Sequence, residues 1–193
     1  PPVGEATDKT VQYNTAMAQQ LPLADQSDFE NARRGLLAQL VGDILNDDGT
    51  VSWSVEALDF LTQDTPATAN PSLWRQSQLT AIHGLFEVVP GIYQLRGYDL
   101  SVMTLIAGAS GWIVIDPLLT AAPARASLDL ANRTLGARPV VAVIYSHSHA
   151  DHFGGVLGVT SAEDVSNGKV EIYAPANFTE ETVGESVLAG TAM

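Results

Sequence analysis

The segment YSHSHADHFGG, residues 145–155, brings three histidines and one aspartate into six consecutive positions. The chain has four histidines altogether, so most of its imidazole is gathered in this one segment. Imidazole nitrogens and carboxylate oxygens both bind metal ions. Zn²⁺ suits this mixture of donors, although donor type alone would also admit Mn²⁺ or iron. The segment therefore predicts a metal site.

The spacing of the four side chains predicts how they divide between metal ions. His147 and His149 lie two positions apart, so at a strand end or a turn they can point the same way and bind one ion. Asp151 and His152 follow on the other side of the loop and can offer one oxygen and one nitrogen to a second ion. An α-helix would not present all four to one point, so the loop must begin where a strand ends. We therefore predict half of a two-metal site.

Residues around this segment are candidates for supporting roles. Asp116 ends the apolar run WIVID, where it can either accept a hydrogen bond from a ligand histidine or cap the turn that follows. Gly154 and Gly155 are expected to let the chain turn tightly past the metal and enter a helix. The fourth histidine, His83, is expected to be structural. Three other carboxylates are expected to be solvated surface groups: Asp99, Glu171 and Glu185.

The charge balance argues against several classes of partner. The 9 Lys and Arg against 22 Asp and Glu give a net charge of −13, with no basic cluster for nucleic acid or an anionic membrane. An anionic substrate could then be attracted only by a local positive centre, which a metal would supply. The chain has no cysteine, so thiolate zinc sites, disulfides and cysteine nucleophiles are excluded.

The hydropathy of the chain and its first residues indicate where in or outside the cell the protein is found. The longest apolar runs, such as GWIVIDPLL and VVAVIY, fall well short of the ~20 residues that span a bilayer, so no membrane span is predicted. The opening PPVGEATDKT has neither an initiator Met nor a signal-peptide pattern, which is typical of a mature chain whose leader has been removed. We expect a secreted or periplasmic protein.

Periodicity predicts the secondary structure that must position these residues. Residues 1–26 show no sustained period and are expected to form an extended arm. Helices are predicted in SDFENARRGLLAQL, where Ser27 and Glu30 have capping-box spacing, and in NPSLWRQSQLTAIHG, where Asn70 is the cap. The runs LFEVVPGIYQLRG, LSVMTLIAG and GWIVIDP are predicted as strands of one sheet.

The segment between the last of these strands and the histidines predicts a β-α-β crossover, hence an α/β fold. TAAPARASLDLANRTLG has helical spacing and ends at Gly136, and PVVAVIYSH is a nearly continuous apolar run typical of a strand buried on both faces. The carboxyl ends of parallel neighbours meet at one edge of a sheet. The loops at Asp116 and at residues 146–152 are therefore expected to lie together there.

Beyond this pattern, HSHADH matches the HxHxDH motif of the metallo-β-lactamase superfamily, and GWIVIDP resembles the strand of that superfamily that ends in aspartate. Three longer stretches are similar to the zinc-dependent alkylsulfatases that cleave dodecyl sulfate. They are the stretch from LWRQSQLT to WIVIDPL, then VIYSHSHADHFGGVLGV, and then APANFTEETVGESVLAGTAM. The similarity runs from about Ser27 to Met193. It implies a metallo-β-lactamase-like αβ/βα sandwich, of which residues 27–193 would be the N-terminal, incomplete part.

The resemblance also implies roles for the four motif residues. His147 and His149 would bind one Zn²⁺, and Asp151 and His152 would bind a second. A water bridging the two ions would hydrolyse the alkyl sulfate ester, with Asp151 therefore counted as a catalytic residue as well as a ligand. The family's remaining ligands, two glutamates and a histidine, lie far downstream of the motif.

No histidine follows His152, and Glu185 belongs to a family segment outside the metal shell, so the site is expected to be incomplete in this chain. The implied partners are the alkyl sulfate, the C-terminal remainder of the same polypeptide and a second copy in a homodimer. Two alternatives remain open. One is another hydrolase of the superfamily, such as a thioesterase, lactonase or β-lactamase, and the other is a non-catalytic fragment whose metal motif is a relic.

Overall fold

The computed structural model describes residues 4–188 and 190. Within them the chain forms two compact units. One unit comprises the residues up to Arg34 together with Glu56–Ile82, and the other comprises Gly35–Val55 together with the residues from His83 onward. The motif at residues 145–155 lies in the second unit, as does Asp116.

The first unit is helical. Its elements are α1 (Asp8–Gln20), α2 (Ser27–Arg33), a 3-10 helix (Glu56–Thr62) and α3 (Pro71–Thr80). Asn70 caps α3 as predicted, because its side chain accepts hydrogen bonds from the backbone N–H groups of Ser72 and Leu73. Arg75 of α3 forms an ion pair with Asp28 of α2 at 2.8 Å, which ties these two helices together.

The expectation of an extended conformation for residues 1–26 is wrong for the helix α1. Thr7 caps this helix, because its hydroxyl oxygen accepts a hydrogen bond from the Thr10 N–H. None of the residues of α1 is buried. A helix without a buried face leaves no apolar period in the sequence, so the pattern could not reveal it.

The helix predicted from Ser27 is also shorter than expected. It ends at Arg33, and the leucines that follow begin strand β1 (Leu36–Ala38). Gly35 makes this change of direction possible. Its φ of +75° lies in the left-handed region, and a Cβ there would stand 2.1 Å from the carbonyl oxygen of Glu87.

The second unit is built on a seven-stranded mixed sheet. In spatial order its strands are β1, β4 (Gly84–Val89), β5 (Ile92–Arg96), β6 (Met103–Ala107), β7 (Trp112–Ile115), β8 (Val140–Ile144) and β9 (Glu171–Tyr173). The pairs from β1 to β7 are antiparallel, whereas β7, β8 and β9 are parallel. A separate hairpin joins β2 (Ile44–Leu45) to β3 (Val51–Trp53). The predicted α/β class is confirmed.

Helix α4 (Ala121–Leu135) joins β7 to β8 and confirms the predicted crossover. Its buried residues share one core with apolar side chains of the sheet, and each large apolar side chain buried in this way contributes about 1.5–3 kcal/mol. Trp112 of β7 is 1% exposed, and its indole N–H donates to the Asn132 side chain of α4 at 2.8 Å. Strand β8 is less buried than expected, since Val143 alone among its residues is fully buried.

The remaining elements follow β8. They are two short 3-10 turns (Ala150–His152 and Val156–Gly158), α5 (Ala162–Ser166) and α6 (Phe178–Leu188). Across residues 4–188 and 190, no helix combines the length and the apolar character needed to cross a bilayer.

Candidate functional site

The two loops expected to meet begin at neighbouring strand ends. Strands β7 and β8 pair in parallel with Ile115 opposite Ile144, and the Asp116 N–H donates to the Ile144 carbonyl at 3.0 Å. The loops that start at Asp116 and at Tyr145 therefore leave the same edge of the sheet, as predicted. This edge is where open α/β sheets bind their ligands.

Asp116 contacts a histidine of the motif, which is one of its two predicted roles, but its side chain caps the turn at Ser146 and not the predicted turn after Asp116 itself. Its Oδ1 accepts the Ser146 N–H at 2.8 Å, which caps the turn, and its Oδ2 lies 2.9 Å from Nδ1 of His152. Its φ of +54° lies in the left-handed region, which costs an L-residue on the order of 1 kcal/mol. The carboxylate is held by these contacts and by the Ser146 hydroxyl at 2.6 Å, and together they stabilise the strained backbone.

The three histidine rings of the motif lie together. The ring centroid of His147 is 4.6 Å from that of His149 and 4.0 Å from that of His152. Oδ2 of Asp151 lies 3.2 Å from Nε2 of His152. The fourth histidine, His83, packs its ring against Tyr98 with centroids 5.5 Å apart.

Hydrogen bonds assign the proton on two of these rings. The Ser146 hydroxyl donates its one hydrogen to Asp116, so it accepts from Nδ1 of His147 at 2.9 Å. The ionised carboxylate of Asp116 likewise accepts from Nδ1 of His152. In both rings Nδ1 therefore carries a proton, and in the neutral form of the ring Nε2 has a free lone pair. Nitrogen lone pairs of this kind bind metal ions.

The contact between His152 and Asp151 tests whether these residues fit a metal. When His152 is neutral with its proton on Nδ1, its Nε2 lone pair faces an Asp151 oxygen across 3.2 Å, and either a second proton on Nε2 or a metal ion would stabilise this contact. A tetrahedral zinc with ligands at about 2.0–2.2 Å separates two donors by about 3.4 Å. The donors fit zinc in type and spacing. Among residues 4–188 and 190, however, no three His, Asp or Glu side chains are grouped to hold one ion.

Gly154 and Gly155 bring the histidine loop into contact with the loop after β7. A Cβ on Gly155 would lie 2.1 Å from the Pro117 carbonyl oxygen, and a Cβ on Gly154 would lie 2.3 Å from that of Leu119. The Gly155 N–H also donates to the Leu118 carbonyl at 2.8 Å. The chain enters a helix after Gly155, as expected, but this is a 3-10 helix of three residues (Val156–Gly158). The glycines are needed for close approach of the two backbones.

Asp99 is a buried member of the site that the sequence did not reveal. Its side chain is 8% exposed rather than solvated, and its Oδ2 accepts the Leu119 N–H at 3.2 Å. Burial raises the pKa of this carboxyl, and the nearby charge of Asp151 raises it further. Ser101 donates its hydroxyl to the Asp151 carbonyl. The loop after β5 thus supports both loops of the site, although no sequence motif marks it.

Helix α6 lies against the histidine loop, which the sequence also did not reveal. The Phe178 ring stacks on Tyr145 with centroids 5.3 Å apart and meets the edge of Phe153 at 5.1 Å. Later in the helix, Oε1 of Glu185 lies 3.1 Å from Nε2 of His149, so the expectation that Glu185 is a solvated surface group is wrong. The signal was present as the helical spacing of positions 178, 182 and 185. Glu171 is exposed, as expected.

Comparison with known proteins agrees with this geometry. The family model described as the metallo-beta-lactamase superfamily matches residues 96–191, which include β6 to β9 and the histidine loop. The chain belongs to this superfamily. The predicted resemblance and the metallo-β-lactamase-like fold are therefore confirmed.

Several proteins that are similar to this chain are named as alkylsulfatases. The chain is 50% identical over 185 residues to an (R)-specific secondary-alkylsulfatase of Pseudomonas sp., covering 95% of the chain and 28% of that protein. It is 47% identical over 191 residues to the alkyl/aryl-sulfatase BDS1 of Saccharomyces cerevisiae, covering 98% of the chain and 30% of that protein. A solved stereoselective inverting sec-alkylsulfatase from Pseudomonas sp. superimposes with a TM-score of 0.92 at 49% identity, again covering 98% and 30%. The chain thus spans less than a third of the length of these relatives.

Proposed function

We propose that this chain supplies part of the active site of a zinc-dependent hydrolase that cleaves alkyl sulfate esters to an alcohol and inorganic sulfate. The observation that carries the proposal is the pair of facing acceptors, Nε2 of His152 and Oδ2 of Asp151, 3.2 Å apart. A metal ion could bind both donors, because two ligands of one tetrahedral zinc stand about 3.4 Å apart. The relatives, which are named as alkylsulfatases, support the substrate class.

The residues present suggest two metal positions. His147 and His149 would hold one zinc ion, and Asp151 and His152 would hold the second. Fewer than three donors converge on any point within the described part of the chain, so we propose that further ligands come from polypeptide outside these 193 residues. The greater length of the relatives supports this source.

Bound zinc would supply Lewis-acid stabilisation of charge on the sulfate group and would lower the pKa of a water molecule. The residues of this chain prepare the site. Asp116 keeps the proton of His152 on Nδ1, and Ser146 does the same for His147. Each of these histidines then presents Nε2 without a proton, so metal binding does not have to displace one.

Electrostatics also favour a cation at this edge. Four carboxylates lie in or beside the histidine loop, and the chain as a whole carries a net charge of −13. These carboxylates are Asp99, Asp116, Asp151 and Glu185. They would repel a sulfate ester unless bound cations reversed the local charge.

The proposal is tested on the natural polypeptide that carries this chain. Metal content is measured after purification, and hydrolysis of dodecyl sulfate is followed by sulfate release, beside a thioester, a lactone and a β-lactam as competing substrates. We expect the purified protein to contain zinc and to release sulfate. A chelator should abolish the sulfate release, and added zinc should restore it. Hydrolysis of one of the other substrates alone would indicate a different hydrolase of the superfamily. A protein with no bound zinc and no turnover would indicate a relic motif.

A further inference from the structure

Glu185 is a carboxylate that reaches the histidine loop from helix α6. It contacts His149 across 3.1 Å, from Oε1 to Nε2. The Glu185 side chain is 31% exposed and the His149 side chain is 55% exposed, so the carboxylate is the more buried partner. An ion pair or hydrogen bond is worth more when water is partly excluded from it than on an open surface.

Helix α6 fixes Glu185 over the loop through one of its faces. Phe178, Thr182 and Glu185 are spaced by four and then three positions, which places them on the same side of a helix. The Phe178 ring packs against both Tyr145 and Phe153, which lie before and after the histidines. The start of α6 therefore contacts the histidine loop on both sides of the histidines. A side chain carried by such an element loses little further freedom when it makes its contact.

The contact completes a pattern shared by all three histidines of the motif. Each ring has a nitrogen next to an oxygen of a residue that is not a proposed metal ligand. For His147 and His152 the engaged nitrogen is Nδ1, whereas for His149 it is Nε2. A metal-binding histidine generally directs its second nitrogen to a carboxylate, a carbonyl or a water, which fixes the ring and its tautomer.

We propose that Glu185 is a positioning residue that holds the proton of His149 on Nε2 and so leaves Nδ1 as the nitrogen that binds metal. The inference rests on the proposed function, because it takes His149 as a metal ligand.

The test uses the natural polypeptide that carries this chain and measures zinc affinity by competition with a chelator. Glu185→Ala removes the carboxylate while keeping a strong helix former in α6, and Glu185→Gln keeps an acceptor oxygen without the charge. Glu180→Ala is the matched control, because Glu180 is an exposed glutamate of the same helix. The second readout is the imidazole ¹⁵N spectrum, which reports which nitrogen of His149 carries the proton.

Glu185→Ala is expected to weaken zinc binding by roughly 10- to 100-fold, Glu185→Gln by less, and Glu180→Ala not at all. In the unsubstituted protein His149 should carry its proton on Nε2. If zinc binds and Glu185→Ala leaves its affinity unchanged, or if His149 carries its proton on Nδ1, the inference is overturned while the proposed function stands. A protein that binds no zinc overturns the proposed function, and this inference with it.

Discussion

Oδ2 of Asp116 lies 2.9 Å from Nδ1 of His152, so a single carboxylate joins the loops that follow two parallel strands. Its other oxygen caps the turn at Ser146. Substitution can separate these two roles.

Asp116→Asn should weaken zinc binding by roughly 10- to 100-fold with little loss of stability. Asparagine tolerates a positive φ and can still accept the Ser146 N–H, but its NH₂ group cannot accept from His152. Asp116→Ala should weaken zinc binding by the same factor and also lower the free energy of unfolding by about 1–3 kcal/mol, because the Ser146 N–H loses its acceptor. Chelator competition and thermal unfolding measure the two effects. Unaltered zinc affinity in both variants would leave Asp116 with turn capping alone.

His149→Ala should lose metal and sulfatase activity together, because removing one nitrogen from a site with few protein ligands leaves the ion poorly held. His83→Ala is the matched control, since His83 lies outside the motif and packs its ring against Tyr98. Metal analysis and sulfate release are measured on both variants. Normal zinc content and turnover in His149→Ala would remove His149 from the site.

Gly155→Ala should destabilise the second unit by about 1–3 kcal/mol, because its Cβ would lie 2.1 Å from the Pro117 carbonyl oxygen. Gly184→Ala is the control. Gly184 lies inside α6 with nothing within 4 Å of the added Cβ, so alanine there should stabilise by about 0.5–1 kcal/mol. Denaturant unfolding measures both. Equal stability of the two variants would mean that the two loops can separate without cost.

The contribution of Asp99 to the stability of the metal-free protein should decrease as the pH rises. Its pKa is raised in the folded state, chiefly by burial, so the folded chain holds this proton more tightly than the unfolded chain. The stabilisation that comes from this tighter proton binding is fully present below the pKa of the unfolded chain, near 3.8. It is lost as the pH rises through the higher pKa of the folded chain. The unfolding free energy of the wild type minus that of Asp99→Asn, measured after chelation, should therefore fall as the pH rises above about 4. A rise over this range would contradict the assignment.

The sequence predicts those parts of the fold in which local pattern and packing agree. Strand β7, helix α4 and strand β8 carry clear apolar runs and helical spacing, so their crossover and the position of the histidine loop could be predicted. Helix α1 has no buried residue and leaves no such pattern. The helix predicted through Leu36 gives way to β1, because pairing with β4 decides the conformation there.

The supporting residues of the site could be predicted only in part. Asp116 adjoins the end of a strand next to the motif's own strand, so its contact with His152 could be foreseen. Asp99 and Glu185 reach the site from a loop and a helix whose positions depend on the packing of the whole unit. Acidic side chains at such positions look like surface groups in a sequence, because nothing local reports their burial.

The close approach of Gly155 to Pro117 limits how this site can be re-engineered. Positions 154 and 155 have no room for any larger side chain, so a saturation library there should yield mainly unfolded protein. Ala150 lies on the same loop and is exposed, so larger side chains fit there without disturbing the contact between the two loop backbones. Directed evolution of substrate preference should therefore enrich substitutions at exposed loop positions such as 150, while both glycines survive every round of selection.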